Sequence, residues 1–148
     1  MNHQALVLTL ASALSLSLVG CGKELGRVPF SAEGSAEATA TLAAGDVDLW
    51  TDLVLEYKGD ASLEYKVELL QDGKSVASTT CNPLGQINVK VNWIETNLGD
   101  SHTRKGSGKM SCTVKLPSGG PTTIKATFAV AHAPTSITVT KADLVVKQ

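Results

Sequence analysis

Hydrophobic and polar residues alternate along most of the chain after residue 27. In the clearest run, every second residue from Val47 to Tyr57 is apolar or Thr, whereas Asp48 and Asp52 fall on the opposite parity. A period of two is that of a strand with one buried face. Further alternating or β-prone runs cover residues 28–30, 38–42, 63–69, 75–81, 87–93, 110–116, 124–130 and 137–146.

Turn-forming residues separate these runs. Asp72-Gly73 lies between two of them and predicts a hairpin, because a type I′ turn needs positive φ at both central positions. The longest polar stretch of the domain, Asn97–Lys109, predicts a connecting loop. Short strands at this spacing are typical of antiparallel sandwiches and barrels. We therefore expect an all-β fold, an antiparallel two-sheet sandwich that is jelly-roll-like and has about eight strands.

The first twenty residues differ from the rest. Ala5 to Val19 is an apolar run, too short to span a bilayer as a helix, and it ends in Leu18-Val19-Gly20-Cys21. This tetrapeptide resembles the lipobox of bacterial lipoprotein precursors. The residues before Ala5 include no Lys or Arg, which is unusual for such a signal. The alternative is an ordinary secretory signal followed by an unrelated Cys.

The resemblance implies a domain organisation and a location. Residues 1–20 would be removed as a signal peptide, and Cys21 would carry a diacylglyceryl group and become the first residue. Residues 21–26 would form a lipidated tether, and residues 27–148 one β-sandwich domain. Two acyl chains suffice for stable attachment to a membrane. Gly22 replaces the Asp that often retains such proteins at the inner membrane, which favours the outer membrane of the cell envelope.

The charge composition argues against nucleic acid as a partner. The chain has 13 basic and 14 acidic residues, a formal net charge of −1, whereas binding to a phosphate backbone needs a basic surface. The charges are unevenly distributed, with eleven acidic and four basic residues in 23–72 against three and nine in 73–148. Either cross-strand pairs join the two halves, or a dipolar surface steers a charged partner.

Three cysteines are present, an odd number that needs an explanation in an exported protein. Lipidation of Cys21 would leave Cys81 and Cys112 as a pair in an oxidising compartment. We expect a disulfide between them, which would also exclude a free catalytic thiolate.

Few residues are candidates for chemistry, and we expect no cofactor and no catalytic site. Asp46, Asp48 and Asp52 share one parity of a strand and form a weak calcium candidate, although outward carboxylates usually face water. Trp50 falls among them, so it is either an exposed ligand contact or is buried because the strand lies between sheets or carries a bulge. The polar stretch adds three further candidate ligand contacts, which are His102, Arg104 and Lys105.

The sequence therefore predicts a non-enzymatic lipoprotein, attached to a membrane through Cys21, whose β domain binds or supports another component of the envelope, protein or glycan. The mature domain resembles single-domain envelope lipoproteins in general and no specific family. The alternative is a carbohydrate-binding module tethered to the envelope, which is an analogy at the level of the fold.

Overall fold

The computed structural model describes residues 22–85 and 87–148. The predicted signal peptide and the predicted lipidation site Cys21 lie outside this part of the chain. The nine strands are β1 (Glu24–Val28), β2 (Gly34–Leu42), β3 (Gly45–Lys58), β4 (Ser62–Gln71), β5 (Lys74–Cys81), β6 (Ile87–Leu98), β7 (Ser101–Leu116), β8 (Gly120–His132) and β9 (Ser136–Lys147). No helix in these residues is long and apolar enough to cross a bilayer.

The strands form two antiparallel sheets. One has five strands in the order β1-β9-β3-β7-β6, and the other has four in the order β2-β8-β4-β5. The chain crosses between the sheets at every connection except the hairpins β4–β5 and β6–β7, so the path is that of a jelly roll. The predicted all-β, two-sheet antiparallel sandwich is confirmed, with nine strands.

The core lies between the two sheets and follows the predicted alternation of β3. Val47, Leu49, Leu53 and Leu55 are almost fully buried, and each such side chain contributes about 1.5–3 kcal/mol on transfer from water. Thr51 shares their parity and is the one polar residue among them. Its hydroxyl therefore needs a partner inside the core, which the opposite sheet supplies.

The predicted hairpin at Asp72-Gly73 is confirmed. Gln71 pairs with Lys74, and the two residues between them have φ of 51° and 74°. Positive φ at both positions is what a type I′ turn requires, and it matches the right-handed twist of the flanking strands.

The predicted disulfide between Cys81 and Cys112 is also confirmed, with Cα atoms 5.4 Å apart. Cys81 ends β5 and Cys112 lies in β7, so the bridge joins the edge of the four-stranded sheet to the five-stranded sheet. The cysteines are 31 residues apart in the sequence, and a loop of that length gives about 3.7 kcal/mol on the chain-entropy model.

The folded domain begins earlier than the sequence predicted. We expected a tether over residues 21–26, but β1 starts at Glu24 and pairs with β9. The backbone of Lys23 also exchanges hydrogen bonds of 2.8 and 3.2 Å with Gln148. The β pairing captures these polar residues because their backbone groups complete the edge of the sheet. Little free chain therefore lies between Cys21 and the sandwich.

β6 lies outside the two-layer region. β7 packs against β5, the last strand of the four-stranded sheet, and β6 continues the larger sheet beyond it. The alternation predicted that Val89 and Val91 face the core, but they are 38% and 40% exposed. That prediction is wrong because register shifts after Ile87 and after Val91 turn Val89 and Val91 to the face that points away from the other sheet, whereas Ile87 and Trp93 pack against the core.

Candidate functional site

The polar stretch Asn97–Lys109, predicted as a loop, is part of a β-hairpin. Leu98 pairs with Ser101, and only Gly99 and Asp100 lie between β6 and β7. Gly99 has φ of 61°, as the first central residue of a type II′ turn requires. The prediction of a loop is wrong because these polar residues lie on strands whose faces are largely uncovered.

The outer face of β6, which points away from the four-stranded sheet, carries an apolar row. Val89, Val91, Ile94 and Leu98 define this row, with exposures of 38%, 40%, 55% and 74%. They are the exposed large hydrophobic residues of the described chain, and all four lie on a single edge strand. Contiguous exposed apolar residues of this kind mark interaction sites more often than isolated ones do.

The opposite face of the hairpin forms a group of side chains with Tyr57 of the neighbouring strand β3. This group, the Tyr57 cluster, consists of Tyr57, Glu95, Asn97, His102 and Arg104. The rings of Tyr57 and His102 are stacked with centroids 4.8 Å apart, and the Arg104 guanidinium lies 5.7 Å from the Tyr57 ring. Arg104 Nε lies 2.8 Å from a Glu95 carboxylate oxygen, and His102 Nδ1 lies 2.6 Å from Asn97 Oδ1. These contacts fix the orientation of each side chain and leave the cluster half-exposed.

A bulge in β6 separates its two halves. Val91 pairs with Ser107 and Ile94 with Lys105, so β6 has one residue more than β7 in this interval. Asn92 has φ of 50°, and the bulge lies directly on Gly106, where an added Cβ would be 2.6 Å from the Asn92 carbonyl oxygen. The bulge therefore requires glycine on the neighbouring strand.

Trp50 is buried, as one of the two alternatives held, but the cause differs from those that the sequence suggested, because β3 alternates regularly here and leaves Trp50 on the outer face. Its side chain is 2% exposed, and Lys147 Nζ lies 3.9 Å from the centroid of its ring. A register shift between Asp48 and Trp50 marks a bulge in the pairing of β3 with β7. Trp50 belongs to the outer face of the sheet and is covered by Lys147, so it offers no ring for a ligand to stack on.

The other predicted ligand contacts are divided between two faces. The structure brings His102 and Arg104 together in the Tyr57 cluster. Lys105 pairs with Val54 and Ile94 and lies on the outer face, beside the apolar row. Trp50 pairs with Lys109, further along that outer face. The four predicted residues therefore do not form one site.

Two of the three aspartates of the calcium hypothesis, Asp48 and Asp52, lie beside cations. Asp48 is 3.0 Å from Lys109 Nζ, and Asp52 is 2.6 Å from Arg27 Nη1 and also accepts a hydrogen bond from Ser107. Within residues 22–85 and 87–148, no three His, Cys, Asp or Glu side chains are grouped to hold a metal ion.

Arg27 is the centre of this charged network on the outer face. Its guanidinium also contacts Glu24 at 2.7 Å and Asp143 at 2.8 Å, and Asp143 is 6% exposed. Burial acts to raise the pKa of Asp52, but hydrogen bonds from Ser107 and Arg27 outweigh it and hold that pKa below its usual value. The hydrogen bond from Arg27 likewise lowers the pKa of Glu24. The network ties the first strand to the centre of the sheet.

Part of the uneven charge distribution is explained by these contacts. Lys109 meets Asp48, and Lys141 lies 3.9 Å from Asp52, so late basic residues pair with early acidic ones across strands. Such pairs between neighbouring strands contribute a few tenths of a kcal/mol to about 1 kcal/mol each. For these residues, the contacts favour cross-strand pairing over a dipolar surface as the explanation of the uneven charge distribution.

No protein-family profile matches this chain, and no curated protein sequence matches it. Sequence reasoning missed Tyr57, Glu95 and Asn97 as members of a cluster, although one signal was available. Gly99-Asp100 is a two-residue hairpin dipeptide, and a hairpin there would have aligned His102 with Asn97.

Proposed function

We infer that this chain is a lipid-anchored, non-catalytic protein of the bacterial envelope that acts by binding, and that β6 is its binding surface. One observation carries the proposal. The large hydrophobic side chains that the described domain leaves exposed all lie on β6. β6 is also an edge strand, so its outer backbone groups are free to pair with another strand.

The lipobox Leu18-Val19-Gly20-Cys21 supports the anchor. Leu25 and Val28 of β1 pack into the core, so the sandwich is built from residues that closely follow the proposed lipid site. β1 starts three residues after Cys21, which leaves the lipid close to the domain. This arrangement suits a protein that works beside the outer membrane, the location that Gly22 favours.

The anchor is tested by a Cys21→Ser change in the full chain. We expect the parent protein to partition into the detergent phase, and the variant to appear uncleaved or in the aqueous phase. A variant that is processed and partitions like the parent would show that Cys21 is not the lipid site.

The binding surface is tested by placing a photo-crosslinking residue at Ile94 or at Thr80 in cells. Both positions are exposed strand residues, but Thr80 lies on the other sheet. We expect a discrete adduct from Ile94 and none from Thr80. Equal labelling from both positions, or none from either, would contradict β6 as the binding surface.

A carbohydrate-binding module remains the alternative, and it no longer rests on Trp50, because that ring is covered. The Tyr57 cluster is the observation that favours it, since an aromatic ring lies beside amide, imidazole and carboxylate groups that can bond sugar hydroxyls. Glycan-array binding that is lost in Tyr57→Ala and kept in Ile94→Ser would favour the carbohydrate function over the β6 surface.

A further inference from the structure

We propose that the partner of β6 is a second copy of this chain, paired antiparallel edge to edge about a two-fold axis between Asn92 and Trp93. This inference rests on β6 being the binding surface proposed above, and it names the occupant. A two-fold interface uses the same surface on both copies, so that surface must be complementary to itself. β6 satisfies this requirement in its charges, its apolar row and its bulge.

The charges match in one register. A two-fold axis between residues 92 and 93 places Lys90 opposite Glu95 of the second copy, and Glu95 opposite its Lys90. The two residues have opposite charge and lie on the same face, because Lys90 pairs with Gly108 and Glu95 with Arg104 on the core side of β7. Within one chain, Lys90 Nζ lies 3.6 Å from a Glu95 carboxylate oxygen, and the two side chains keep 46% and 41% of their surfaces accessible, so each can also meet its counterpart on the second copy. Opposite charges directly across two strands stabilise the pairing.

The apolar row matches in the same register. Val91 lies opposite Ile94 of the second copy, and Val89 lies opposite Thr96. All four belong to the outer face, as their partners on β7 show. The pairing would bring the exposed side chains of Val89, Val91 and Ile94 from both copies into one continuous patch, which removes apolar surface from water.

The bulge is compatible with this pairing. A bulge, or charged residues on the inward-pointing face, usually protects an edge strand against pairing with a strand of another chain. Here, the axis passes through the bulge, so both strands have two residues between position 91 and position 94. The ladder can therefore continue on either side of the axis without a change of register. A neighbouring register moves the axis off the bulge and separates Lys90 from Glu95.

The symmetry also sets where the anchors lie. Gly22 is beside Gln148 and Lys147, at the end of β3 opposite the β6–β7 turn. An antiparallel pair reverses the strand direction, so the two copies have their residue 22 at opposite ends of the joined ten-stranded sheet. Two copies held in one bilayer would therefore pair with their strands running along the membrane.

The proposal is tested with full-length chains carrying two different tags, co-expressed and crosslinked with formaldehyde in intact cells. We expect each tag to capture the other for the parent chain. Capture should be lost when both copies carry Lys90→Glu, or when both carry Glu95→Lys, since four like charges then meet. Mixing a Lys90→Glu copy with a Glu95→Lys copy should restore capture, because opposite charges face each other again.

Two controls distinguish loss of the proposed dimer from a general effect of charge reversal and from loss of the lipid anchor. Glu37→Lys reverses an exposed charge on β2, one of the two edge strands of the other sheet, and should leave capture unchanged. Detergent partitioning of the same samples reports the anchor independently, so a failed dimer and a failed anchor give different results. Failure of the parent chain to capture itself, capture that ignores the charge changes, or failure of the mixed pair would overturn the proposal.

A second measurement guards against a charge variant that does not fold. Val91→Cys in one copy and Ile94→Cys in the other should crosslink through a short bifunctional maleimide, because these positions face each other. Two copies of either single variant should crosslink at least several-fold less, since the two cysteines are then three residues out of register. Equal crosslinking in all three combinations would contradict the register.

Discussion

Thr51 and Tyr65 share a hydrogen bond of 2.9 Å between their hydroxyl groups, across the core from one sheet to the other. Thr51 lies on β3 and Tyr65 on β4, and both residues are fully buried. Since neither hydroxyl reaches water, each depends on the other for its hydrogen bond. The pair therefore specifies how the two sheets align, beyond what apolar contacts alone require.

Removing one hydroxyl of this pair should cost more than removing both. We expect Tyr65→Phe to lower the free energy of unfolding by about 1–2 kcal/mol, because Thr51 is then buried without a partner. Adding Thr51→Val should recover most of the loss. Urea unfolding of the three proteins measures this, and a double variant no more stable than Tyr65→Phe would contradict it.

The same tyrosine predicts a loss of stability at high pH. Burial raises the pKa of Tyr65 well above its ordinary value of about 10. The neutral form is thus kept in the folded state, while the unfolded chain ionises from about pH 10 upward. The stabilisation is complete below pH 10 and falls as the pH rises through the folded pKa. Urea midpoints of the parent should therefore decline above pH 10 more steeply than those of Tyr65→Phe.

Arg27 should stabilise the fold at neutral pH and contribute little in acid. We expect Arg27→Met to lower the free energy of unfolding by about 2–3 kcal/mol at pH 7, since Asp143 and Asp52 lose their hydrogen-bonded cation and keep only Lys141, which is 3.8 and 3.9 Å away. Because the folded pKa values of Asp52 and Glu24 are lowered, this stabilisation is present above about pH 4 and is lost as the pH falls through them.

Urea midpoints of Arg27→Met and of the parent should therefore converge near pH 3. Lys66→Met is the control, because Lys66 is 70% exposed and 3.7 Å from Glu64. We expect that change to alter stability by less than about 0.5 kcal/mol. A difference for Arg27→Met that is constant from pH 7 to pH 3 would indicate lost packing rather than lost ion pairs.

Gly106→Ala should damage the β6–β7 hairpin. Gly106 and Gly120 have nearly equal φ values of 140° and 143°, but only at Gly106 would a Cβ meet neighbouring atoms, the nearest at 2.6 Å. Both alanine variants carry the same backbone penalty. The steric clash should add about 1–3 kcal/mol at Gly106 alone.

Hydrogen exchange of the β6 amides locates this effect. We expect faster exchange along β6 in Gly106→Ala and parent-like exchange there in Gly120→Ala. Equal stability of the two variants would show that the bulge can move away from the added methyl group.

The sequence was most informative where both sheets cover the chain. The alternation of β3 identified the buried residues from Val47 to Leu55, and Asp72-Gly73 identified the hairpin between β4 and β5. Each of these patterns reflects a local physical requirement. The pairing of Cys81 with Cys112 followed from the number of cysteines once Cys21 was set aside.

The same reasoning failed where burial depends on distant parts of the chain. Val91 shares the sequence parity of Ile87 and Trp93, yet register shifts in β6 turn it to the outer face while those two residues pack against the core. Trp50 looks exposed from its sequence pattern. Its ring is nevertheless covered by Lys147, which is distant in sequence but lies on the neighbouring strand β9. Periodicity shows that a strand has two faces, but the tertiary arrangement determines which face is covered and by what.

In the proposed lipid-anchored form, only Gly22 and Lys23 separate Cys21 from β1, so the domain would be confined to a thin layer beside the bilayer, where diffusion is two-dimensional. Confinement of this kind raises the effective concentration of each copy for the other. An edge-to-edge contact that dissociates in dilute solution would then be populated on the membrane, because confinement adds to the modest contact surface of a single strand.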